Sequence, residues 1–172
     1  MAKTLIAFYS HAGENYVNGS VRFLNRGNNE VIVDKLKAAL PNADVFRIET
    51  VKKYKEDYYE LIEEAKQELR AKARPELTDK VEDMDQYDTI ILGYPNWWGI
   101  PPMAVFTFLE SYSFAGKKIV PFCSHEGSGL GGSIRQLKMT VPDADITAGV
   151  AIHGAEAAHC DREVNLIIQQ TK

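Results

Sequence analysis

The chain has 172 residues, 45% of them hydrophobic and 26% charged, with a formal net charge of −4. That length supports one domain with a single core over residues 1–172 and is short for two. The mild acidity and the lack of a basic stripe argue against a nucleic-acid binder, and no apolar run approaches a membrane span.

The first apolar run, residues 5–9, is unbroken rather than alternating, as expected for a strand covered on both faces. It is too short for the apolar part of a secretory signal, and no small-residue cleavage site follows, so the cytoplasm is the expected compartment. Residues 10–27 are polar and too long for an ordinary strand-to-helix turn, which points to an insertion or a functional loop. Asn28 is placed to cap a helix with Ile32, Leu36, Ala39 and Leu40 on one side, ended by Pro41. Residues 43–48 read as a second strand, with Val45 and Ile48 apolar and Arg47 exposed; the mixed pattern suggests a sheet edge. Tyr54, Tyr58, Leu61, Ile62, Ala65 and Leu69 recur at spacings of three and four along a long helix with a charged opposite face, closed by Pro75.

Residues 88–93 form the third predicted strand. Pro101 and Pro102 open a helix over 103–112, where proline is tolerated in the first turn, and Gly116 lies past its end. Residues 118–123 are the fourth strand, and a glycine-rich loop leads to a short helix bearing Ile134 and Leu137. Residues 145–152 are the fifth strand, and the last helix carries Val164, Ile167 and Ile168. This alternation predicts an α/β fold, a doubly wound, five-stranded parallel sheet with helices on both faces, and the order 2-1-3-4-5 fits the edge-like second strand. Strands 1 and 3 would then lie side by side, with the chain leaving them in opposite directions and the loops converging on one crevice.

Three of those loops carry binding chemistry. The first, after strand 1, holds Ser10, His11, Ala12, Gly13 and Asn15: a hydroxyl, an amide and a glycine that permits a tight backbone. Backbone N–H groups at a helix start make an anion site with such residues. The second loop, Pro95, Asn96, Trp97, Trp98 and Gly99, puts two tryptophans side by side. Adjacent indoles on a loop bury a large area only when something covers them; one can fill the core while the other stacks on a ligand. The third holds Ser124, His125, Glu126, Gly127, Ser128 and Gly129, small residues that let backbone approach a ligand closely. A phosphate cradle, an aromatic wall and close backbone together suit flavin mononucleotide (FMN).

Other motifs fail on context. Gly127, Gly129 and Gly132 satisfy G-x-G-x-x-G, but after the fourth strand and without the acidic partner about 20 residues on. There is no phosphate-loop G-x-x-x-x-G-K-[ST] and no G-x-S-x-G elbow. A response-regulator receiver needs carboxylates where this chain has Ser10 and Gly93-Tyr94. Four histidines and two cysteines show no metal-ligand spacing. Cys123 ends an apolar run and reads as a buried thiol; Cys160 sits near a helix start, where an ordinary thiol or one of lowered pKa would fit.

On these loops and this order the chain resembles the flavodoxin family over nearly its whole length, in a branch with an insertion in the first loop. The resemblance implies FMN as cofactor and no catalytic acid or base. It departs from the hydroxyl-rich family pattern at Ala12 and Asn15, so Asn28 and Asn29 are expected to complete the phosphate site. The second loop's backbone would contact the flavin N5 edge, and the third loop's N–H groups would wrap the pyrimidine end. Glu126 has two readings: a carboxylate that disfavours negative charge on the reduced ring, or a surface residue. The insertion at 16–26, with Tyr16, Arg22, Phe23 and Arg26, is expected to pack beside the phosphate. The resemblance leads to three functions: an electron carrier with a transient redox protein partner, an FMN-dependent NAD(P)H:quinone or nitro-compound reductase, or a flavin-binding sensor. A monomer or homodimer without metal, membrane or nucleic acid is expected.

Overall fold

The computed structural model describes residues 3–172. A parallel sheet forms its centre, in the order β4 (Asp44–Arg47), β1 (Thr4–Phe8), β5 (Thr89–Pro95), β6 (Lys118–His125). β7 (Asp145–Ile146) and β8 (Val150–His153) both pair in parallel with β6, on its first and last residues respectively. The fifth strand expected over 145–152 is therefore split. Gly149 takes φ +78 at the break, and Gln170 fills the gap, its amide bonded to Thr147 Oγ1 and to the N–H and carbonyl of Gly149.

The unbroken run in β1 serves two cores. Leu5, Ala7 and Tyr9 face α3 (Met103–Glu110) and α4 (Ser133–Thr140); Ile6 and Phe8 face α1 (Asn28–Ala39) and α5 (Asp161–Gln170). Ile90 and Leu92 join the first core and Ile91 the second, as the period of two requires. Gly93 makes room for its neighbour in the sheet: a Cβ there would run into the ring of Phe122, its partner on β6. β4 is an edge strand as expected, but Val45 is the outward residue, 44% exposed, while Phe46 packs inward. Arg47 is half-buried, its guanidinium over the Phe8 ring and 3.0 Å from Glu30.

Residues 10–27 are not a loop throughout. They fold into an antiparallel hairpin, β2 (Gly13–Val17) and β3 (Ser20–Leu24), a separate two-stranded sheet. Asn18 and Gly19 form its turn with φ +51 and +89, the conformation that Asn-Gly favours between two strands. α2 (Tyr58–Ala71) starts later than its apolar spacing suggests. Asp57 caps it by accepting from Glu60 N–H, and Tyr54 lies in the preceding loop with its hydroxyl 2.6 Å from Glu68.

Candidate functional site

A cleft of about 360 Å³ opens at the carboxyl ends of β5 and β6, within the range typical of small-molecule sites. The second loop forms one wall, with Pro95, Asn96, Trp97, Trp98 and Gly99 all in the lining. Trp97 and Ile100 exchange backbone hydrogen bonds around Trp98 and Gly99, both of which have positive φ, +57 and +88. A tryptophan at such an angle is strained, a condition met chiefly at functional sites. Asn96 locks the turn: Gly99 N–H donates to its side-chain oxygen at 2.8 Å, and its amide donates to Gly129 carbonyl at 3.0 Å.

The two tryptophans differ in their packing. Trp97 is half-buried, edge-on to Tyr9, Tyr54 and His11. Trp98 is 49% exposed, held by its N–H to the Ile62 carbonyl and by Lys66 over its ring. Ser124, His125, Glu126 and Ser128 of the third loop line another wall, and Gly127 and Gly129 are not in the lining. His125 Nδ1 accepts from Gly127 N–H at 2.9 Å, which leaves its proton on Nε2. Burial, then the neighbouring His153, holds its pKa below the usual value. Glu126 Oε2 accepts from Asn18 N–H at 2.9 Å and lies 3.7 Å from His153 Nε2, whereas its Oε1 is buried without a partner.

The first loop is rearranged by the hairpin. Asn15 and Asn28 line the cleft; Ser10, His11, Ala12, Gly13 and Asn29 do not. Asn28 is the first residue of α1 rather than its cap. Gly27 holds the cap position, and the hydroxyl of Ser10 takes over capping by accepting from Glu30 N–H at 3.2 Å. A Cβ on Gly27 would strike that hydroxyl, so glycine is required there. Asn29 is buried, its amide donating to the Tyr9 carbonyl at 2.9 Å and its side-chain oxygen unpartnered. His11 packs on Trp97 with Nε2 buried and unpartnered, and burial lowers its pKa.

Sequence reasoning missed a third wall. Leu61, Ile62 and Ala65 of α2 line the cleft with Tyr58, and Tyr16 of β2 joins them. The spacing of these residues marks an apolar face; it does not say that the face meets a cleft rather than the core. For the hairpin a signal was present, the Asn18-Gly19 pair flanked by strand-forming residues. Neither thiol belongs to the site: both are buried, with Cys123 pushed up to about 12 by burial and Cys160 raised by burial, which removes the low-pKa reading of Cys160. Among the described residues, those lining the cleft include no lysine or arginine, and no group of three metal-ligating side chains occurs. Nor is any described helix long and apolar enough to cross a membrane.

The family model described as flavodoxin matches residues 20–165. The chain belongs to the flavodoxin family. Among solved structures, a protein assigned as a flavoprotein from Bacteroides eggerthii is 27% identical at a TM-score of 0.74, covering 98% of this chain and 99% of its own. A counterpart from Bacteroides uniformis is also 27% identical, at 0.73 and 98% of each chain. A flavoprotein in complex with FMN from Lactobacillus acidophilus is 18% identical at 0.68, covering 91% of this chain and 96% of its own, and supports the fold alone. A search of curated proteins gave no match. The donor set of this flavodoxin suits FMN. A phosphate needs donors, and the first amides of α1 and the Asn28 side-chain amide, which lines the cleft, would supply them without a cation. A ribityl chain brings hydroxyl donors, and Glu126 Oε1 is a buried acceptor without one.

Proposed function

We propose that this flavodoxin binds FMN in the cleft and acts as an electron carrier for a transiently docked redox protein. The observation that carries the reading is the strained turn that presents Trp98, half-exposed, into a cleft also lined by Trp97 and the β6 loop. Trp97 and Trp98 would hold the ring, and Ser124, His125 and Glu126 would meet its polar edge, with Gly127 and Gly129 shaping their loop. Asn96 would fix the turn, the Asn28 side chain and the backbone N–H of Asn29 would serve the phosphate, and Ser10 would hold the start of α1 in place. When bound, the flavin supplies one- and two-electron redox chemistry, and the protein supplies orientation and tuning. Carrier encounters use small, weak interfaces, which a mildly acidic surface can steer.

One observation favours a second reading, an NAD(P)H:acceptor reductase. His125 and Glu126 put two titratable groups in the cleft lining, and His153, outside the lining, lies 3.7 Å from Glu126, as a relay of protons to a substrate would require. The test is anaerobic addition of NADPH to the FMN-loaded protein, followed by visible absorbance. A carrier keeps its colour until a separate reductase is added. Rapid bleaching by NADPH alone would establish the reductase instead.

A further inference from the structure

We propose that the inserted hairpin covers the flavin site, and that Tyr16 with Tyr58 makes the aromatic wall that the loop after β6 lacks. The proposal rests on the FMN reading. Residues 124–129 contain no phenylalanine, tyrosine or tryptophan, and their one ring, the His125 imidazole, is tied through Nδ1 to Gly127 N–H and set edge-on to His153, so the loop offers no large aromatic face to a planar ring. Tyr16 from β2 and Tyr58 from the first turn of α2 line the same cleft as Trp98. Their rings lie 5.8 Å apart at 36°, a tilted stack. Tyr16 is 39% exposed, and a large ring left part-open on a cleft gains contact when a flat group comes against it.

The hairpin's attachments fit a cover. It shares no strand pairing with the main sheet, and an isolated hairpin is marginal in water. Two long-range hydrogen bonds hold it. Tyr58 N–H donates to Glu14 Oε2 at 3.0 Å, and Asn18 N–H donates to Glu126 Oε2 at 2.9 Å. Tyr58 and Glu126 belong to different walls of the cleft, α2 and the β6 loop, so the hairpin bridges them. Leu61 and Ala65 are buried yet belong to neither core, which leaves the apolar side of α2 to the cleft and the hairpin. Tyrosines, an apolar helix face and an unpartnered Glu126 Oε1 select a planar heterocycle carrying hydroxyl donors.

The test titrates FMN and riboflavin into the wild-type protein and into Tyr16→Ala, Tyr58→Ala and Tyr16→Phe, reading flavin fluorescence. Hydrogen exchange of residues 13–24 is followed with and without FMN. Each alanine variant is expected to weaken both ligands about tenfold, since the ring rather than the phosphate is touched. Tyr16→Phe should bind like wild type, and FMN should slow exchange across the hairpin. If wild type binds FMN while both alanine variants bind as well and hairpin exchange is unchanged, the cover is overturned and the FMN site stands. If wild type binds no FMN, the cofactor reading itself fails and takes the cover with it.

Discussion

Trp98 concentrates the cost of this site in one residue. Its φ of +57 lies where a side chain crowds the backbone, at roughly 1–2 kcal/mol relative to the ordinary helical region. Core packing does not compensate for that, because the side chain is half-exposed; its anchors are the Ile62 carbonyl and Lys66. Comparing Trp98→Gly with Trp98→Ala isolates the strain, since both remove the indole and glycine alone is free at positive φ. The glycine variant is expected to be about 1 kcal/mol more stable than the alanine variant in urea unfolding. Both should lose flavin affinity. Equal stability of the two would mean the turn is not strained, and unaltered affinity would remove Trp98 from the ring site. That the tryptophan loop lines a cleft was legible in the sequence, because adjacent indoles in a loop after a buried strand cannot both enter the core. Which of them packs inward was not, because that depends on Tyr9 and Tyr54, which come from other parts of the chain.

Among the elements, the hairpin and α2 decide the form of the site. The turn at Asn18 and Gly19 fixes the register that opposes Asn15 to Arg22 and Tyr16 to Val21. Gly19 at φ +89 has open space around it, so a substitution there tests backbone angle without a clash. Gly19→Val is expected to speed hydrogen exchange across 13–24 at least tenfold while leaving the urea midpoint of the main sheet unchanged. The reason is that the hairpin is a separate two-stranded sheet. A lowered midpoint would show that the hairpin is integral to the core. The expected long helix was real, but its start was misplaced by one turn because Tyr54 fits the apolar period while sitting in a loop, bonded to Glu68. The fifth strand was likewise legible as an apolar segment. Its division was not, since the break is stabilised by Gln170 from the last helix.

At the scale of the whole molecule, two apolar layers share one sheet, and half-buried histidines link its stability to pH. His11 and His125 both have folded pKa values held below 6.5, by burial in each case and for His125 also by His153. The unfolded chain therefore binds more protons than the folded one as pH drops below about 6.5. Their contribution is present above that value and is lost as pH falls. The urea midpoint is expected to decline between pH 7.5 and pH 5.5, and a His11→Gln, His125→Gln double variant should flatten the decline. An unchanged slope in that variant would assign the pH dependence to other groups.

Local chemistry written along the chain marked the apolar segments that become the parallel sheet and most helix spans. Unbroken apolar runs, proline and glycine stops and a period of three to four act over a few residues and need no partner to be read. The three loops could be listed for the same reason. Tertiary structure alone decided that the first loop rises into a hairpin pinned to Glu126, that Ser10 caps a helix twenty residues downstream, and that α2 turns its apolar side to the cleft. Each of these depends on groups distant in sequence meeting in space, and an apolar side chain carries no mark of whether it will meet a core or a ligand.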